Sequence, residues 1–150
     1  MPLIGREKVA KMTEDYYLKV NTELRKIAIV GFVGIIKGTP VDEGRARNNW
    51  FLSVGSPSQK QVKTKTLGLQ AIRSISSMPK RILNSKIFFT NNLPYIGVLE
   101  YGGYPKQDLS AGPTVSKTRK TSGGFSTQAP GGWVRKELIV MRNKVRAIKT

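Results

Sequence analysis

The side chains that could do chemistry in this 150-residue sequence are few. It contains no His and no Cys, which removes the usual proton shuttle, the thiolate nucleophile and the commonest transition-metal ligands. Among nine carboxylates, the one neighbouring pair in a predicted loop is Asp42 and Glu43, which Glu100 or Asp108 could join in space. Because a two-metal hydrolase needs a larger acidic cluster, the sequence predicts no enzyme activity, no metal and no cofactor.

Positive charge is the feature that suggests a binding partner. The chain has 26 Lys and Arg against 9 acids, a net charge of +17. The sequence has no Walker, GxGxxG, zinc-ligand or RNP motif, yet Lys and Arg contact phosphates without any motif. Arg135, Arg142, Arg146 and Lys149 share one stripe of a predicted last helix. This stripe is a candidate surface for acidic protein or nucleic acid, and a solvated helix face is the alternative.

The longest predicted element is a helix over residues 6–37. Its apolar side chains recur at steps of three and four, and they are Val9, Met12, Tyr16, Val20, Leu24, Ile27, Gly31 and Ile35. Residues 27–36 are apolar on all sides, so other elements or another subunit must cover them. A bilayer span needs about 20 apolar residues. The run is therefore a core segment, and we expect a soluble, intracellular protein without membrane contact.

The remaining elements predict one α+β domain over residues 1–150. Strands are expected at 50–54 and 86–90, short helices at 67–77 and 95–101, and the last helix at 131–147. The expected architecture has a long N-terminal helix and a C-terminal helix packed on a small antiparallel sheet. Residues 103–128 are rich in Gly, Ser, Thr and Pro, and they predict a long loop or hairpin arm that either is disordered or orders on a partner.

Three segments, in order, carry a resemblance to a known family. They are 39–47 (TPVDEGRAR), 87–102 (IFFTNNLPYIGVLEYG) and 128–135 (QAPGGWVR). The chain resembles the neck, or minor tail-component, family of long-tailed bacteriophages. Members of that family carry a Pro-Val-Asp-Thr-Gly-Arg-like turn, an Asn-rich turn before a Glu-Tyr-Gly unit, and an Ala-Pro-Gly-Met-like start to the last helix. This sequence departs from the pattern at Glu43, where Thr is usual, at Trp133, where Met is frequent, and in its longer 103–128 segment.

The resemblance implies a structural virion protein at the head–tail junction, in the neck or tail-completion position. Copies would form a ring, with a hexamer as the expected size, and would join head-completion, tail-terminator or tail-tube proteins, with DNA in the channel as a further contact. The residues marked for the fold or an interface are Pro40, Asp42, Gly44, Arg45, Asn91, Tyr95, Glu100, Tyr101, Gly102, Pro130 and Trp133. We expect Glu100 to pair with an Arg, with Arg45 as the candidate. The alternatives are a non-specific nucleic-acid-binding protein and a tail-terminator ring.

Overall fold

The first helix is the longest element, and most of the other elements pack against it. A computed structural model describes residues 4–41, 43–63, 68–103 and 124–148. Its elements are α1 Ile4–Gly38, α2 Arg45–Asn48, β1 Phe51–Val54, α3 Leu69–Ser76, β2 Ile87–Thr90, α4 Ile96–Tyr101 and α5 Val134–Arg146. The chain is therefore α+β, with a long N-terminal helix, a C-terminal helix and a two-stranded antiparallel sheet, as the sequence predicts. Among the described residues, no helix has the length and hydropathy to cross a membrane.

The core lies between the C-terminal half of α1 and the sheet. Phe32 and Ile35 are fully buried, and the Phe32 ring stacks on Phe89 with 5.4 Å between centroids. The two strands pair in a register that places Phe51 opposite Thr90. The apolar run 27–36 is thus covered largely by the chain's own elements, which was one of the two alternatives open from the sequence.

Helix α5 packs mainly against α1, and small residues of α1 make the close contact possible. An added Cβ at Gly31 would fall 2.0 Å from Met141 Sδ, and one at Gly34 would fall 2.5 Å from the Glu137 carboxyl carbon. Residues farther along α1 meet residues nearer the start of α5, so the two helices run antiparallel. Gly31 and Gly34 therefore receive α5 side chains.

The N-terminal half of α1 extends beyond the packed body. Val9 and Met12, which belong to the predicted apolar stripe, are 62% and 63% exposed. On another side of α1, Asn21 Oδ1 accepts hydrogen bonds from the backbone N–H groups of Ile82 and Leu83 at 2.7 and 2.9 Å. Val9 and Met12 are consequently left uncovered by any described element.

The predicted arm can be compared with the structure only at its ends. Residues 104–123 lie outside the described part of the chain, so the hairpin prediction stays untested. The last helix begins at Val134, three residues later than predicted. The reason is local, since Gly132 has a φ of +74° and forms a turn that the helix cannot include.

Candidate functional site

The three segments that carry the resemblance meet beside the C-terminal end of α1. Gln128 forms two hydrogen bonds with the backbone of Val41. Its Oε1 accepts from the Val41 N–H at 2.7 Å, and its Nε2 donates to the Val41 carbonyl at 2.9 Å. Asn91 Nδ2 donates to the Ala46 carbonyl at 2.9 Å. Residues from the first segment are therefore joined to the second and to the third, although up to 87 positions separate the partners in sequence.

Glu100 makes the third junction, between the second segment and the start of α5. Its buried carboxylate accepts the backbone N–H groups of Trp133, Val134 and Arg135 at 2.9, 3.0 and 3.1 Å. These N–H groups have no partner inside the helix, and the positive end of the helix dipole favours a carboxylate there. Glu100 thus performs, from a distant position, the capping that a residue next to the helix usually performs.

An arginine completes this arrangement, as the sequence predicts, but the residue is Arg135 and not Arg45. Arg135 Nε donates to Glu100 Oε1 at 3.0 Å, and its guanidinium lies 4.8 Å from the centroid of the Tyr101 ring. The pairing of Glu100 with an Arg is confirmed, whereas the choice of Arg45 was wrong. Arg135 sits on the first turn that Glu100 caps, so the backbone bonds bring its side chain within reach of the same carboxylate.

The environment of Glu100 keeps this carboxylate charged. Burial raises the pKa of Glu100, but the three backbone N–H groups and the Arg135 side chain together outweigh burial and hold the pKa below its ordinary value near 4.5. At neutral pH the group is an ionised hydrogen-bond acceptor with its donors in place. That state suits a structural anchor, because an ionised carboxylate forms stronger hydrogen bonds with its donors than a neutral acceptor does.

Trp133 fixes the other side of the same junction. Its indole is buried and Nε1 donates to the Ile35 carbonyl at 2.9 Å. The ring lies against Gly38, where an added Cβ would approach Cδ1 to 2.9 Å. The Ile35 carbonyl also accepts the backbone N–H of Thr39 at 3.1 Å, so the indole bond satisfies the buried Trp133 N–H and ties the start of α5 to the end of α1.

Thr39, Arg47 and Trp50 form further hydrogen bonds at the C-terminal end of α1. Thr39 Oγ1 donates to the Ile35 carbonyl at 2.7 Å and accepts from Trp50 Nε1 at 2.8 Å. An Arg47 guanidinium nitrogen donates to the Thr39 carbonyl at 2.9 Å. Sequence reasoning did not single out Thr39 or Trp50 in this role. A Thr directly before Pro40, at the end of a helix, was the available signal.

Gly132 is the most constrained backbone position of this junction, and its substitution provides a first test. With φ at +74°, a Cβ at Gly132 would fall 2.7 Å from the Glu100 carbonyl oxygen. We expect Gly132→Ala to lower the free energy of unfolding by about 2–4 kcal/mol, from backbone strain plus the clash. Gly131→Ala is the matched control, because the neighbouring atom there is the flexible Lys136 ammonium at 3.1 Å. Urea denaturation of both variants measures the difference, and equal effects would contradict this assignment.

The other predicted motif residues divide between turns and surface. Gly44 and Gly102 adopt φ values of +81° and +79°, so glycine is required at both turns. Pro40 is buried, Tyr95 packs against the core, Tyr101 is exposed and Pro130 is exposed. Asp42 lies outside the described residues.

The predicted basic stripe is present only in part as an open surface. Arg142 and Arg146 are exposed on α5. Arg135 is half-exposed and engaged by Glu100, so it belongs to the junction, and Lys149 lies outside the described residues. The part of the stripe that can meet a partner is therefore centred on Arg142 and Arg146.

Asn49 and Asn92 stabilise the fold through side-chain hydrogen bonds, and sequence analysis did not single out either residue for this role. Fully buried Asn49 donates to the Val62 carbonyl and accepts from its N–H, at 2.9 and 2.8 Å. Asn92 Nδ2 donates to the carbonyls of Ser58 and Lys60 at 2.9 Å each. Both amides hold the polar loop after β1. This role cannot be predicted from the sequence, because it depends on which loop lies near each Asn in the fold.

Comparisons with known proteins add no identification: no family model, curated protein or solved structure matches the chain.

Across residues 4–41, 43–63, 68–103 and 124–148, no group of three or more acidic side chains could hold a metal ion. The geometry around Glu100 joins three chain segments through fixed hydrogen bonds. Such an arrangement can hold two helices and two turns in one rigid position.

Proposed function

We propose that the chain is a structural virion protein of a tailed bacteriophage, located in the neck at the head–tail junction. The observation that carries this proposal is the meeting of all three resembling segments at one place, through their own residues. Gln128 bonds to Val41, Asn91 bonds to Ala46, and Glu100 caps the start of α5. A motif set whose members contact one another is more specific than three separate short matches.

The proposed assembly is a ring, with a hexamer as the expected size, that joins the tail to head-completion proteins. Repeated head-to-tail contacts between identical subunits close into rings, and burial of surface at each contact supplies the assembly energy. The exposed Arg142 and Arg146 would face an acidic surface of an adjacent ring, with DNA in the channel as the other anionic neighbour. The protein would reside in the virion, and in the host cytoplasm during assembly. A tail-terminator ring is the nearest alternative within this class.

The competing function is non-specific nucleic-acid binding, which the open basic face of α5 favours. Native mass spectrometry and electron microscopy of the purified full chain test the ring directly. Duplex-DNA titration over a salt series tests the rival, because a free binder loses affinity steeply as salt rises. We expect rings and weak DNA binding. A monomer that binds DNA at sub-micromolar concentration, and that loses this binding when Arg142 and Arg146 are changed to Glu, would establish the rival function instead.

A further inference from the structure

An apolar groove lies where α5 ends on the surface of α1. It has a volume of about 510 Å³, and its apolar lining includes Tyr16, Val20, Ile27, Val30 and Ile148. Val30 is 49% exposed, although it belongs to the most apolar run of the chain. Side chains of this kind are ordinarily buried, so the groove exposes a surface that burial by another molecule would stabilise.

The shape of the groove fits a helix. Helix α5 lies along the Gly31 and Gly34 face of α1, and the groove starts at its last turn, beside Ile148. The same face of α1 continues past the groove to the exposed Val9, which lies about 31 Å along the helix axis from Val30. A helix seated there would prolong the path of α5 with its own apolar residues three and four positions apart.

The charge around the groove defines the chemistry of that helix. Lys19, Lys26 and Lys144 line it, against a single acid, Glu23. A second copy would bring these ammonium groups together, at a like-charge cost. Residues 104–123 of the chain are a poor match by composition, since they carry four basic residues and one acid. An acidic amphipathic segment satisfies both the apolar floor and the lysines.

We propose that this α1–α5 groove binds an amphipathic helix of a partner protein, with an apolar face seated on Val20, Ile27 and Val30 and flanking Asp or Glu paired with the three lysines. This partner is defined by its chemistry, independently of the virion role proposed above. It uses a surface separate from the Arg142 and Arg146 face. Apolar anchoring supplies most of the affinity, and the charges select acidic partners over basic ones.

The test uses two designed fluorescent peptides of about 18 residues, long enough to span the groove as a helix. They share the same Leu positions at helical spacing and differ only in flanking residues, Glu in one and Lys in the other. Fluorescence anisotropy with the full chain should show the Glu peptide binding about tenfold more tightly, from about three exposed charge pairs. Val30→Asp, on the half-exposed floor, should weaken the Glu peptide by at least about tenfold.

Charge-reversal variants separate the groove from the overall charge. Changing Lys19, Lys26 and Lys144 to Glu should reverse the peptide preference. Changing the exposed lysines Lys37, Lys60 and Lys80 to Glu gives the same net charge and should preserve it. Equal loss of preference in both triple variants, or no binding of either peptide, would overturn the proposal. Native mass spectrometry provides a further check. If the wild type forms dimers that Val30→Asp abolishes, the groove binds a second copy of the chain, and the proposal is overturned as well.

Discussion

Glu100→Ala is expected to destabilise the protein by about 3–4 kcal/mol. The change removes a carboxylate that is only 5% exposed and leaves the N–H groups of Trp133, Val134 and Arg135 without their acceptor. An unsatisfied buried donor costs about 1–3 kcal/mol. The ion pair with Arg135 adds little, since the arginine is half-exposed and screened by solvent. Urea denaturation followed by circular dichroism measures the loss.

Two variants make this result specific to the cap. Glu7→Ala removes an exposed glutamate from α1 and should change the unfolding free energy by less than about 0.5 kcal/mol. Arg135→Gln should cost about 1 kcal/mol or less, because the backbone bonds to Glu100 survive. If Arg135→Gln were as damaging as Glu100→Ala, the ion pair would be the stabilising element and the cap would not.

The contribution of Glu100 should also depend on pH in a defined direction. Its folded pKa is lowered below the ordinary value near 4.5, so the folded state favours the ionised form. The stabilisation is complete above that ordinary value, and it is lost as the pH falls from about 4.5 through the folded pKa. The stability difference between the wild type and Glu100→Gln should therefore shrink on acidification. A difference that stayed constant would exclude linkage to this group.

Trp133→Ala is expected to have an effect of similar or greater size, about 3–5 kcal/mol. The substitution empties the space beside Gly38 and deletes the hydrogen bond from Nε1 to the Ile35 carbonyl. Large-to-small changes of buried aromatic residues cost this much because the cavity refills only in part. Thermal and urea denaturation provide the measurement.

Conservative replacements of Trp133 separate volume from hydrogen bonding. Trp133→Phe keeps most of the ring and loses the N–H donor, so about 1–2 kcal/mol is expected. Trp133→Met introduces the residue that is frequent in the resembling family, and its flexible thioether should fill much of the same space. If the Met variant were as unstable as the Ala variant, the position would not correspond to the family's last-helix start.

Local patterns were sufficient for most of the elements. The three- and four-residue spacing from Val9 to Ile35 predicts a helix over 6–37, and α1 spans Ile4–Gly38. The apolar, partly β-branched runs at 50–54 and 86–90 predict both strands, which lie at Phe51–Val54 and Ile87–Thr90. These elements follow from side-chain periodicity and backbone propensity, which neighbouring residues express without distant contacts.

The site required information that no local pattern contains. Glu100 was expected to pair with an Arg because it is an isolated acid among basic residues, yet its partners are a helix start more than thirty positions away, at Trp133 to Arg135. Val9 and Val30 belong to the same kind of apolar stripe as the buried Ile35, and periodicity does not indicate which stretch a neighbour covers. The sequence alone thus specifies the elements, the excess of positive charge and the lack of His and Cys chemistry. Which polar groups meet, and which apolar face stays exposed, depends on how far α5 reaches along α1, because burial and hydrogen bonding are properties of packed elements.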